Sequence, residues 1–398
     1  MLELAEAVMR LKENFRKQKL TEVIPLSKSY GRIAAFDIPS PINVPNFSKS
    51  AMDGYALFAE DTMAAKQEKP IKLSVIASVY AGDDPSSINA ARNTCVRITT
   101  GAKIPQGYNA VIKQENTTNN DSKQITVFTE VVPGENYIEK GEDLVAGELI
   151  IQADTIIDSE NIGTLAAVGI TKLNVLKKIR VGLIATGSEL LSPGERLTAG
   201  KLYNSTVYTL ASYIERYNGT IVFQEKCPDD PIRFSQILKQ YAGNFDVVLT
   251  TGGVSIGDKD FLPQGIKELG AEEIFHFIKM KPGTPVMASR WQDTIILSLS
   301  GNPFASLINF HLFYWPLLAY FFQNKQFLLK EYDAEIASGY REKSKLTRYI
   351  RAKLNNGKVT LPAKKKHLMT GSYDCIVVQP ENKKLEPNYF VKIYLLPR

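Results

Sequence analysis

Three apolar runs in the second half of the chain each end in a short polar turn containing glycine. They are IRVGLIATGSEL from Ile179, FDVVLTTGGVS from Phe245 and DTIILSLSGNPFASL from Asp293. Uninterrupted Val/Ile/Leu runs of this length read as strands buried on both faces, which is the habit of parallel sheets. Between the first two, an amphipathic helix is expected from about Asn204 to Tyr217, with Asn204 or Ser205 as its cap and Gly219 as its stop. Strands alternating with helices imply a layered α/β domain, and in such domains ligands sit at the carboxyl ends of the strands. The three polar turns are therefore expected along one edge of one sheet.

The flanking sequence has a different texture. Residues 46–141 are turn-rich and strand-like, as in TCVRITTGAKIPQGYNAVIKQE, and residues 326–398 return to short strands such as RYIRAKL, DCIVVQP and YFVKIYLL. The expected fold class is multidomain α/β plus β. Residues 1–45 read as a helix followed by a loop, 46–141 as a β-rich module, 142–175 as a mixed segment, 176–325 as an α/β domain and 326–398 as a small β domain. The N-terminal MLELAEAVMRLKENF carries apolar residues at helical spacing and reads as an amphipathic helix, not a signal peptide. The uncharged stretch Phe304 to Phe322 is long enough to span a bilayer, yet it holds Ser306, Asn309, His311 and Pro316 and lacks basic flanks. A buried helix of a soluble domain, with no membrane role, is the expectation.

Composition narrows the chemistry. Net charge is only +6, and the run Lys364 to Lys366 has no aromatic or arginine interleaving, so no nucleic-acid surface is expected. Three widely spaced cysteines form no CxxC pair, which points to a reducing, cytoplasmic setting; three histidines cannot build a His-rich metal cluster. At the strand ends, Thr186, Gly187, Gly252, Gly253, Ser255, Ser300 and Gly301 supply close backbone approach and short donors, as a phosphate-bearing ligand requires. Near them in sequence stand carboxylates that a phosphate would repel: Glu189, Asp229, Asp230, Asp258 and Asp260. Acids beside a phosphate cradle suit a bridging Mg²⁺. Lys279 to Gly283 reads as a basic strand end able to hold an oxyanion. Gly253 to Gly257 also matches the G-x-S-x-G nucleophile elbow, which would make Ser255 a hydrolase nucleophile. Against that, the chain does not enter a helix directly after Ser255.

The order of motifs resembles that of the molybdopterin molybdenumtransferases, the MoeA proteins and the E domain of gephyrin. GRIAAFDIPSPINVPNFSKSAMDGYAL contains the signature SAMDGYA intact, and RITTGAKIPQGYNAVIKQE and GENYIEKGEDLVAG are similar to two further family blocks. TGSEL, TTGGVSIGDKDF, MKPGTP and SGNP follow in family order. The resemblance implies an elongated, four-part homodimer with active clefts formed between subunits, in which 1–45 and 142–175 together form a linker or dimerisation domain and 46–141 is a β-rich domain inserted into it. It implies a reaction in which adenylylated molybdopterin and molybdate are the substrates, AMP is released and Mg²⁺ assists. A molybdopterin adenylyltransferase and molybdoenzyme apoproteins are the implied protein partners.

On the same resemblance, Asp53, Asp143, Asp260 and Lys281 are candidate catalytic residues. Glu189, Asp229, Asp258 and Asp260 are candidate metal ligands. The candidate substrate cradle is Thr100, Thr186, Gly187, Gly252, Gly253, Ser255, Gly257, Pro282, Gly283, Ser300, Gly301, Asn302 and Pro303. Several positions depart from the family pattern: Ile138 stands where Arg is usual, Phe277 where the residue is basic, and Thr284 where the K-P-G-K-P block has its second Lys. Ser300 replaces a Pro, and Ala305 a common Ser. Fewer cations around an anion site keep open a second expectation, a weakened paralogue that carries molybdopterin without turning it over. Arg348, Arg351, Lys279 or Lys364 to Lys366 are the candidates to replace the lost charge.

Overall fold

The structure is a computed structural model that describes residues 1–16, 19–121, 123–255, 261–339, 341–362 and 373–397. Packing divides the chain into two compact units. One comprises Met1–Glu22, Gly31–Ala35 and Asn174–Arg398; the other comprises Val23–Tyr30 and Phe36–Leu173.

The first unit contains the expected α/β sheet. Its strands are β1 (Ile179–Thr186), β2 (Gly219–Cys227), β3 (Val247–Thr251), β4 (Glu272–His276), β5 (Met287–Trp291) and β6 (Thr294–Leu299), in the spatial order β2-β1-β3-β6-β5-β4. The first four in that order are parallel, and β5 and β4 complete the sheet antiparallel. The helices are α1 (Thr206–Arg216), α2 (Pro231–Gln240), α3 (Leu262–Leu269) and α4 (Pro303–Phe322). Ile184, Val248 and Ile296 project from three neighbouring strands into one cluster with Phe234 and Leu238 of α2 and Leu262 and Ile266 of α3. Helix α1 packs on β1 and α4 on β6.

Local rules explain the boundaries, with two differences from expectation. Helix α1 ends at Arg216 and Asn218, with φ +59°, turns the chain, whereas Gly219 is the first residue of β2. The segment Lys279 to Gly283 is a loop between β4 and β5 rather than a strand end. Helix α4 is apolar and long enough to cross a membrane, but 83% of its most apolar window is buried inside the protein, so its hydropathy reflects a core position. The last strands, Glu331–Ser338, Arg348–Asn355, Lys358–Thr360, Cys375–Gln379 and Phe390–Leu395, close into a small barrel around Ile336, Ile350, Val377 and Ile393.

The second unit is built on a six-stranded sheet. Its order is Ala110–Lys113, Gly54–Leu57, Thr94–Ile98, Ile71–Val79, Gln124–Val127, Thr117–Asp121. Gly54 is essential to that sheet, since a Cβ there would lie 1.9 Å from the Ile112 carbonyl oxygen of the neighbouring strand. Helix Ser159–Ala167 is closed by a reciprocal capping box between Asp158 and Asn161.

Candidate active site

Because β1, β3 and β6 are parallel neighbours in register, their carboxyl ends coincide: Ala185 lies opposite Thr251, and Thr251 opposite Leu299. The turns leaving them form one cavity of about 310 Å³. Thr186, Gly187, Glu189, Asp229, Gly252, Gly253, Gly301 and Pro303, all sequence candidates, line it. The Thr186 hydroxyl donates to the Thr251 carbonyl at 2.9 Å, and the Gly252 N–H donates to the Leu299 carbonyl at 3.0 Å, locking the three ends together. Gly252 has φ +96° and passes so near Thr186 that a Cβ would sit 2.7 Å from its hydroxyl. Glycine is required there by both conformation and space.

Two helices start at this cavity. Asn302, at the head of α4, accepts from the Phe304 and Ala305 N–H groups at 3.0 and 3.2 Å, so its carboxamide oxygen acts as a cap. Helix α1 begins differently. Ser205 makes no side-chain cap bond, and Asn204 reaches only Val207 N, at 3.4 Å. The first amides of α1 thus remain the better anion receptors. Asn204, Ser205 and Thr206 all line the cavity. The neighbouring acids divide in the same way: Asp230 accepts from Ile232 N and Arg233 N as the cap of α2, while Asp229 faces the cavity. Glu189 folds over Gly187, where a Cβ would meet its carboxylate at 2.6 Å. Glu189 and Asp229 are the cavity's two carboxylates, and no group of three metal-ligating side chains occurs among the described residues. Two carboxylates fit Mg²⁺, which commonly binds through one or two of them plus substrate phosphate oxygens and water. Gly257, Asp258 and Asp260 lie outside the described residues. Ser255 is exposed and does not line the cavity.

A second cluster forms where the Lys281 loop meets helix α4 and the barrel. Asn309, fully buried in α4, donates to the Gly283 carbonyl at 3.0 Å and accepts from Ser300 N at 3.2 Å. Ser300 in turn donates its hydroxyl to the Pro285 carbonyl at 2.8 Å. The Pro282–Gly283 and Ser300–Gly301 turns are thereby joined through one carboxamide. Lys281 donates its N–H to Thr347 and accepts from Tyr349 N, so its backbone is fixed against the barrel strand Arg348–Asn355 while its side chain is exposed. Three residues along that strand, Arg351 is buried. Its Nε and Nη1 have no hydrogen-bond partner among the described residues, and its guanidinium lies 4.6 Å from the Tyr373 ring centroid. Burial holds its pKa below the usual arginine value.

The sheet of the second unit places Asp53 and Thr100 together. Asp53 Oδ1 accepts from Thr100 N at 2.7 Å and from its hydroxyl at 2.9 Å, and those bonds, with Arg97 nearby, hold the carboxyl below its ordinary range. Asp143 is exposed on a turn fixed by its N–H to the Val44 carbonyl at 2.9 Å.

Sequence profiles of two protein regions match this chain. Residues 2–169 match the MoeA N-terminal region (domain I and II), and residues 182–320 match a probable molybdopterin binding domain. A molybdopterin molybdenumtransferase of Haemophilus influenzae is 32% identical over 338 residues, covering 85% of this chain and 82% of the relative. One of Bacillus subtilis is 33% identical over 350 residues, covering 87% and 81%. The chain belongs to the molybdopterin molybdenumtransferase family. The solved molybdopterin biosynthesis MoeA protein of Pyrococcus horikosii agrees in fold, with a TM-score of 0.88, 29% identity and 99% of each chain covered.

Within this molybdopterin molybdenumtransferase family member, the departures have visible partners. Phe277 stacks on His276 with centroids 3.8 Å apart, and the Thr284 hydroxyl donates to the Met280 carbonyl inside its own loop. Lys279 is paired with Glu3 at 2.8 Å, and Arg348 donates to Glu342 O and Gln379 Oε1. Of the replacement cations considered from sequence, Arg351 alone has buried nitrogens without a hydrogen-bond partner among the described residues; Lys364 to Lys366 lie outside them. The hydrolase alternative finds no base among the described residues; His367 lies outside them. Helix α3 starts at Leu262, well after Ser255, and His276 Nε2 donates to the Val254 carbonyl at 2.8 Å. His311 is buried with its Nδ1 accepting from Trp315, and burial pushes its pKa down to about 3. Neither is arranged as a base for Ser255.

Sequence reasoning named Asn204 only as a helix cap and Asn309 only as a polar residue of an apolar stretch, and gave neither a role at the site. A lone carboxamide in the otherwise apolar helix α4 was the available signal for Asn309, because a buried amide requires partners.

Proposed function

We infer that this member of the family acts in molybdenum cofactor biosynthesis on adenylylated molybdopterin and molybdate, with Mg²⁺-assisted release of AMP. The observation that carries this reading is the strand-end cavity, where glycine turns and the start of α1 face two carboxylates. The backbone at Gly187, Gly252, Gly253 and Gly301 admits a phosphate closely, and the first amides of α1 supply N–H donors to its oxygens. Glu189 and Asp229 would hold Mg²⁺, which supplies positive charge to the phosphoanhydride when bound. Lys281 and Arg351 are the cations for molybdate, the first exposed on its loop and the second buried on the barrel strand Arg348–Asn355 to which that loop is bonded. Hydrolysis adds water across the phosphoanhydride P–O bond and frees AMP; as molybdate forms two Mo–S bonds to the dithiol, one of its oxygens leaves as water with the two thiol protons, and no change of oxidation state is needed.

A homodimer is part of this reading. Phe36, Ile42, Val145 and Leu149 are exposed apolar residues on one short ribbon, where Leu149–Ile151 pairs with Ile38–Pro39 and Val44 bridges Leu144. Exposed apolar residues gathered in this way favour an interface. Asp53, Thr100 and Asp143 would then serve the partner's cleft, and the four-part domain division made from sequence goes with that arrangement.

Incubation of the pure protein with adenylylated molybdopterin, molybdate and Mg²⁺ tests the reading. AMP release dependent on all three is the expected result. Substrate binding without AMP release would replace the enzyme by a molybdopterin carrier.

A further inference from the structure

A groove in the β-rich unit shares no lining residue with the strand-end cavity. It measures about 900 Å³ and is formed by four chain segments: Asn46 to Ser48, Pro85 to Ala90, Lys103 to Tyr108, and Tyr137 with Lys140. The segments are tied to one another. Ile104 N donates to the Ser48 carbonyl at 3.0 Å, and Lys140 N to the Ser48 hydroxyl at 3.2 Å. Tyr108 bonds Thr94 at 2.6 Å through its hydroxyl and meets Phe58 edge-on with ring centroids 5.2 Å apart. Gly107, with φ +110°, brings its loop so close that a Cβ would lie 2.8 Å from the Ala90 Cβ. The groove is therefore held by packing and hydrogen bonds.

Its chemistry is one-sided. No carboxylate is among the lining residues, whereas Lys103 and Lys140 are. Lys103 shares its ammonium with the largely exposed Asp84, and Lys140 has no ion-pair partner among the described residues. Asn46, Asn89 and Gln106 add carboxamides that donate and accept, between apolar patches from Ile88, Ile104 and Pro105. A bare oxyanion is far too small for such a groove. A mononucleotide would call for a carboxylate toward its ribose hydroxyls, which the lining lacks. Carboxamides matched to peptide N–H and C=O groups, apolar patches and two ammonium groups suit an extended acidic peptide. We propose that this groove is a docking site for an acidic segment of a partner protein.

The test uses the full chain and a short fluorescein-labelled peptide of alternating glutamate and leucine, followed by anisotropy. Binding that falls with added salt is expected, and the same peptide with glutamine for glutamate should bind roughly tenfold more weakly. Lys103→Gln combined with Lys140→Gln should weaken the acidic peptide roughly tenfold, while Lys72→Gln, on an exposed position outside the groove, leaves it unchanged. Circular dichroism confirms that the variants fold. Equal affinity for the two peptides, or for the double variant and the parent, overturns the proposal. Displacement of the peptide by AMP at comparable concentration also overturns it and reassigns the groove to a phosphorylated small molecule.

Discussion

Arg351 combines its proposed role at the anion site with a stability liability, because a buried guanidinium with two unpaired nitrogens is costly to desolvate. Replacing it with a similarly long apolar side chain should separate the two effects. Arg351→Met is expected to leave the unfolding free energy measured in urea unchanged or raise it by about 1 kcal/mol, while molybdate-dependent AMP release falls at least tenfold. A loss of stability with full activity would remove Arg351 from the anion site. His311 makes a second residue-scale prediction, through pH. Its folded pKa is pushed down to about 3 by burial, below the ordinary value of 6.5. Above 6.5 both states are neutral there and the group contributes no pH dependence. As pH falls from 6.5 toward 3, the unfolded chain takes up the proton and the folded chain does not, so stability declines. Between pH 6 and 4.5 the parent should lose about 1–2 kcal/mol more than His311→Gln, measured by urea unfolding. Gln retains an acceptor for Trp315, and the other histidines cancel in the difference.

The elements explain why two adjacent aspartates do different work. Asp230 is the residue whose oxygen closes the first turn of α2, and Asp229 is the one turned to the cavity. Asp230→Ala should lower stability by about 1 kcal/mol with the Mg²⁺ dependence of AMP release intact. Asp229→Ala should leave the unfolding midpoint nearly unchanged and raise the Mg²⁺ concentration needed for half activity. Identical effects of the two changes would remove Asp229 as a metal ligand. The parallel strands were legible from sequence because apolar runs ending in glycine carry both burial and chain reversal. The family resemblance selects Asp229 over Asp230 as a metal ligand, but the residues themselves do not separate the two, since only the position of the first helical turn decides which carboxylate is a cap. Lys279 was likewise counted among free cations, but its partner is Glu3, at the far end of the chain. Asn309 was hidden by its neighbours' hydropathy, although its two bonds fix the turns on which Gly283 and Ser300 sit. Local pattern thus recovers backbone elements well, and it misses contacts set by residues distant in sequence.

At the scale of the whole molecule, the candidate residues fall into the two compact units: Glu189, Asp229, Lys281 and Arg351 in one, Asp53, Thr100 and Asp143 in the other. If the cleft is shared between subunits, a change in either unit disables a different contributor to the same site. Asp53→Asn removes the acceptor charge that Thr100 surrounds, and Lys281→Met removes a cation of the other unit. Each variant alone should be nearly inactive as a homodimer. A mixed dimer would carry one site with both defects and one with neither. Random exchange makes half of the dimers mixed, so an equal mixture should recover about a quarter of the parent activity. Recovery should track subunit exchange, followed by sedimentation of differently tagged chains, and should fail when exchange is blocked by cross-linking before mixing. Activity that stays at the level of the separate variants, in a mixture shown to contain mixed dimers, would place both contributions in one chain. Phe36→Ser with Leu149→Ser should shift the protein toward monomer and lower activity together, because an incomplete cleft cannot hold the substrate from both sides.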